Sequence, residues 1–77
     1  MKLRNTIKRC RFDHGDISQE ALAHAVEVSR QTIHSIEKGK FVPSTLLALR
    51  IAAFFGKPVE AIFSIELDEH GEKSDEK

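Results

Sequence analysis

At 77 residues the chain has room for one domain, with a core barely large enough to fold unaided. Apolar residues make up 40%, and no stretch resembles a signal peptide or approaches the roughly 18 apolar residues of a membrane span, so a cytoplasmic protein without a membrane partner is expected. The net charge of zero is divided: residues 1–57 hold ten Lys and Arg against five Asp and Glu, residues 58–77 only two against seven. A basic body attracts phosphates, while an acidic tail restrains indiscriminate binding to polyanions.

Helix 1 is predicted from Leu3 to Asp13, with Leu3, Ile7 and Cys10 inward, Lys2, Lys8 and Arg9 outward, and Gly15 as its left-handed stop. Cys10 is the only cysteine, which excludes an internal disulfide, and it reads as a small core hydrophobe. Asp16-Ile17-Ser18 forms the loop into helix 2, with Ser18 as N-cap and Gln19 and Glu20 in the first turn. Leu22, Ala23 and Val26 make one apolar stripe on this helix, and Ala23 is small where a neighbouring helix must cross. Val28 plugs the short turn that follows. Ser29 then caps the next helix.

Helix 3, ending near Lys38, carries the chemistry. At about 100° per residue with Gln31 at zero, Ser35 falls near about 40°, Lys38 near about 340° and His34 near about 300°. Ile33 and Ile36 fall near about 200° and about 140°, almost opposite. Arg30 and Thr32 flank the polar face. A solvated helix shows the same amphipathicity, but this face lacks a carboxylate and offers the side chains that bond base edges and phosphates.

Gly39 ends that helix, and Lys40-Phe41-Val42-Pro43 leads to Ser44, with Phe41 expected to pack on the core rather than stack on a base. Helix 4, Thr45 to Phe55, is apolar nearly all round. Leu47, Ala48, Ile51, Ala52 and Phe55 suffice for the core, which leaves Leu46 and Phe54 on a second face that a second copy would cover. Gly56 closes it and Pro58 opens a short helix 5 with Val59, Ile62 and Phe63 inward. Ser64 to Asp68 alternates polar and apolar, as a strand does. Pairing of that strand with its counterpart in a second subunit would bury Ile65 and Leu67. Residues 1–68 are thus read as one domain with a C-terminal dimerisation strand, and 69–77 as an acidic disordered tail.

The segments ISQEALA, VSRQTIHSIEKGK and PS…LALRIAAFFG…VEAIF resemble the Xre family of helix-turn-helix regulators, which includes the phage repressor and Cro DNA-binding domains. The resemblance covers about residues 3–65. It implies an all-α, five-helix lambda-repressor-like domain that binds double-stranded DNA. It also implies an ion pair between Arg11 and Glu37, a phosphate contact from Gln19, and a backbone contact from Lys40. Two departures stand out: Glu27 occupies the turn position that this family usually gives to Gly, at a cost of about 1 kcal/mol if φ is positive, and the loop HGDIS is one residue longer than the commonest form.

Catalysis has little support. His14, His24, His34 and His70 share no metal-ligand spacing with one another or with Cys10, there is no Gly-rich phosphate loop, and neither a cofactor nor a small-molecule ligand is indicated. The rival to DNA binding is a protein-interaction module such as an antitoxin partner, which the apolar helix 4 face and acidic tail would serve equally well; the polar, carboxylate-free face of residues 30–38 discriminates against it. The absence of Tyr and Trp disfavours RNA, whose bases stack on aromatics. The expected protein is therefore a homodimeric transcriptional regulator, simplest as a repressor by promoter occlusion. Arg30, Gln31, Thr32, His34 and Ser35 are expected on bases, and Gln19, Lys38 and Lys40 on phosphates.

Overall fold

The computed structural model describes residues 2–67; the acidic segment 69–77 and its expected disorder lie outside them, as does Asp68 of the expected strand. In chain order the elements are β1 (Lys2–Asn5), α1 (Ile7–Asp13), α2 (Gln19–Ala25), α3 (Arg30–Glu37), α4 (Thr45–Phe55), α5 (Val59–Ile62) and β2 (Phe63–Glu66). Five helices around one core are the architecture that the apolar periodicities predict.

The chain enters this bundle as a strand, whereas its periodicity predicts helix 1 from Leu3. Asn5 and Thr6 are the reason. The Asn5 Oδ1 atom accepts from the Ile7 N–H at 3.1 Å, serving a free amide of the first turn and starting the helix there. Upstream of this stop, Leu3 and Asn5 turn partly inward while Lys2 and Arg4 stay exposed, the alternation of a strand.

The C-terminal strand exists, and within the described residues its partner is β1. The pairing is antiparallel, with Leu3 opposite Ile65 and Asn5 opposite Phe63. An unpaired strand carries unsatisfied amides and carbonyls, and the nearby N-terminus supplies the complement in cis. A two-stranded sheet still leaves β2 one free edge.

Ile7, Leu22, Ile33, Ile36, Ile51 and Ile62 form the centre of the core, each less than 2% exposed. Burying one such side chain contributes about 1.5–3 kcal/mol. Cys10 lies among them, its Sγ 3.6 Å from Thr6 Oγ1. Thr6 also ties α1 to the end of α5, its N–H donating to the Ile62 carbonyl and its hydroxyl to that of Ala61.

On α4, Leu47, Ile51, Ala52 and Phe55 are buried as expected, and Leu46 is 61% exposed. Phe54 differs from expectation. It is half-buried against the core, with its ring 4.9 Å from that of His14 and 5.1 Å from Phe55. His14 closes α1 and turns over this aromatic pair, which removes most of Phe54 from any outer face. Leu49, at 51% exposure, stands beside Leu46 instead.

Candidate nucleic-acid interface

Three hydrogen-bond patterns build the helix pair. Ser18 accepts from the Ala21 N–H at the start of α2, and Ser29 does the same for Thr32 at the start of α3. Between them the chain reverses through a left-handed residue. The Glu27 N–H donates to the His24 carbonyl and the Val28 N–H to that of Ala23, the paired bonds of a Schellman stop. This geometry puts Glu27 at φ 65°, the positive value anticipated from the missing glycine. Ala23, 2% exposed, lets the helices cross closely.

Opposite the buried Ile33 and Ile36, the outer face of α3 presents Arg30 and Gln31 exposed, and Thr32, His34 and Ser35 half-buried. Its one acidic residue, Glu37, turns inward. The Glu37 carboxylate accepts from Arg11 Nε at 2.8 Å and Nη2 at 3.2 Å, and from Gln19 Nε2 at 3.1 Å. Arg11 also donates from Nη1 to the Ile17 carbonyl. One carboxylate therefore braces α1, α2 and α3 together, and the outer face of α3 is left without negative charge.

The remaining expected residues fall on either side of this face. Gln19 is half-buried, its amide held by Glu37 and 3.5 Å from His34 Nδ1, so as placed its side chain braces α3 and only its main-chain N–H stands at the open start of α2. The Thr32 hydroxyl lies 3.0 Å from Ser29 Oγ, which occupies it locally. Lys38 and Lys40 are exposed. Lys38 is shared by two shallow clefts, one with Lys8 and His34 and the other with Lys2 and Asn5, so basic groups from β1 and α1 adjoin the end of α3.

Two further residues stand near the site, Asn5 with no signal picked out in the sequence and Phe41 on the less expected of its two sides. Asn5 Nδ2 donates to the Ile36 carbonyl at 2.9 Å, fastening the last turn of α3 to β1; an Asn-Thr pair read as a helix-start signal would have exposed it. Phe41, expected in the core, is 48% exposed and lines a concavity with Gln31, Thr32, Ser35 and Lys40. The stop of α3 explains its place. Gly39 takes φ 78°, its N–H donates to Ile36 and that of Lys40 to Ser35, which folds the following residues back along the helix.

The helix-turn-helix family profile matches residues 7–62, which includes every helix described above. The chain belongs to the helix-turn-helix family, of the Xre and Cro-like kind. An uncharacterized HTH-type transcriptional regulator of Methanocaldococcus jannaschii is 51% identical over 67 residues, covering 87% of this chain and all of that protein. Another, from Methanothermobacter thermautotrophicus, is 46% identical over 72 residues, 92% of this chain and all of its own. The regulator YgzD of Bacillus subtilis is 45% identical over 64 residues, 83% of this chain and 96% of its own. A member of this family is a DNA-binding transcriptional regulator and not an enzyme. Among the described residues no helix is long and apolar enough to cross a membrane.

Proposed function

We propose that this helix-turn-helix regulator binds a pseudo-palindromic operator as a homodimer, with α3 of each subunit in successive major grooves about 34 Å apart. Arg30, Gln31 and Ser35 read base edges, with His34 beside them and Thr32 contributing once its hydroxyl leaves Ser29. Gln31 is the strongest reader, because an exposed glutamine amide bonds adenine at two atoms. Lys38, Lys40 and the main-chain N–H of Gln19 hold phosphates. Leu46, Ile65 and Leu67 cover one another across the two-fold axis, with Phe54 at most at its margin.

The observation that carries this reading is the withdrawal of Glu37. Tying Glu37 to Arg11 and Gln19 braces the fold and at the same time leaves the outer face of α3 without negative charge, which suits a phosphate-lined groove that repels an outward carboxylate. A dimer filling two grooves of a promoter, in the cytoplasm, excludes polymerase from the same duplex, so repression is the expected result. Selection of bound duplexes from a random pool tests the whole reading. Enrichment of an inverted repeat with half-sites one helical turn apart is expected; recovery of no motif at low salt would refute it.

A further inference from the structure

Phe41 combines features that the fold does not explain. Its ring is 48% exposed, yet it stands on the wall of a concavity of about 230 Å³ whose other lining residues are Gln31, Thr32, Ser35 and Lys40. Single exposed hydrophobes are ordinary, but this one is directed to the reading face by a specific device. The Schellman stop at Gly39 reverses the chain and brings Lys40 and Phe41 back alongside Ser35. The ring is the only large apolar group of that concavity, and its neighbours are all hydrogen-bonding side chains.

Polar side chains distinguish bases by their donors and acceptors. The one apolar mark in the major groove, the C5-methyl group of thymine, is read by apolar contact instead, and beside the small methyl of Thr32 the Phe41 ring is the large surface here able to make it. Building on the base-reading role of α3, we infer that Phe41 is a specificity-determining residue whose ring packs against the methyl group of a thymine in each half-site, next to the base contacted by Gln31. The ring already stands at the wall of the concavity, so the contact demands no rearrangement of α3. The same ring also forms a wall of a second cleft, with Leu3, Ile36 and Val42 beside Lys2 and Asn5, which makes self-association the competing use of Phe41.

The test uses the full chain and a duplex recovered from the random pool, with each thymine of the half-site replaced in turn by uracil, which removes the methyl group alone. Binding of wild type, Phe41→Ala and Phe41→Leu is measured on every duplex, and the oligomeric state of each is followed by sedimentation. At one position uracil should weaken the wild type by about fourfold per half-site, the fold-change of losing one buried methyl-sized contact. Phe41→Ala should lose a similar factor on the thymine duplex and be indifferent to uracil there, with Phe41→Leu between the two. Equal losses for Phe41→Ala on thymine and uracil duplexes at all positions would overturn the inference while leaving operator binding intact. A shift of Phe41→Ala toward smaller species, with no thymine dependence, would assign the ring to self-association. Failure of the wild type to bind any duplex would remove the operator reading and this one together.

Discussion

Arg11 and Glu37, 26 residues apart in sequence, form a two-pronged ion pair whose side chains are only 13% and 9% exposed. With Gln19 it fixes the angle at which α3 leaves the body of the protein. Removing one partner strands a charge in a poorly hydrated site. Arg11→Ala or Glu37→Ala should therefore lower the unfolding free energy by about 3 kcal/mol, whereas an Arg11→Met, Glu37→Leu double variant should recover much of it. Urea denaturation of the four proteins decides. Losses below about 1 kcal/mol for the single variants would class the pair with exposed ones.

Gln31 is exposed at the centre of the outer face of α3, and its side chain makes no hydrogen bond among the described residues. Its truncation should leave folding alone and cost cognate binding about 1–3 kcal/mol per half-site. Non-specific duplex should be bound nearly as before. Equal losses on both duplexes in a titration at fixed salt would contradict base reading.

Lys40 is proposed to differ in kind, as a phosphate contact, which carries no sequence information. Lys40→Ala should weaken all duplexes alike and reduce the slope of log K against log salt by about 0.9 per protomer, hence nearly two for a dimer. An unaltered slope would take Lys40 out of the phosphate set.

Much of this arrangement is legible in the chain because local signals agree with one another. Ser18 and Ser29 each precede an amphipathic run and Ser44 a largely apolar one, and each caps a helix. Glycines at 39 and 56 end helices where left-handed residues are needed. What escaped was decided at longer range. Leu3 is a helical step from Ile7; Asn5 sets the helix start locally, but the extended form of Leu3 and Arg4 upstream of it is held by a complementary strand 62 residues away. Phe41 is a core-like residue by composition, and its exposure follows from a chain reversal whose direction no periodicity encodes. Phe54 is apolar on an apolar helix, and its cover, His14, comes from a loop.

Glu27 bears the strain of the turn, at φ 65° with its carboxylate only loosely paired with Arg50 at 3.4 Å. Replacing it by Gly relieves about 1 kcal/mol of steric cost but frees the unfolded chain by a comparable amount, about 0.4–1 kcal/mol. Glu27→Gly should thus be nearly neutral. Glu27→Val, β-branched at a left-handed position, should destabilise by more than about 1 kcal/mol. Thermal or urea unfolding that ranked Val equal to Gly would mean that the turn does not hold this residue left-handed in solution.

The proposed two-fold interface is best probed by point changes. Deleting β2 would also strip β1 of its partner and disturb Asn5, which holds the end of α3. Leu46 and Ile65 are 61% and 62% exposed, so a charge at either costs the isolated fold little. Glutamate at 46 even suits the first turn of α4, where the helix dipole favours it. Leu46→Glu with Ile65→Lys should therefore keep the helical spectrum and sediment as a monomer at concentrations where the wild type is dimeric. Operator binding should fall steeply, because each half-site is then held without the effective concentration that a linked second subunit provides. A double variant that stays dimeric would place the interface elsewhere on the molecule, and a wild type that sediments as a monomer would dispose of the symmetric operator along with it.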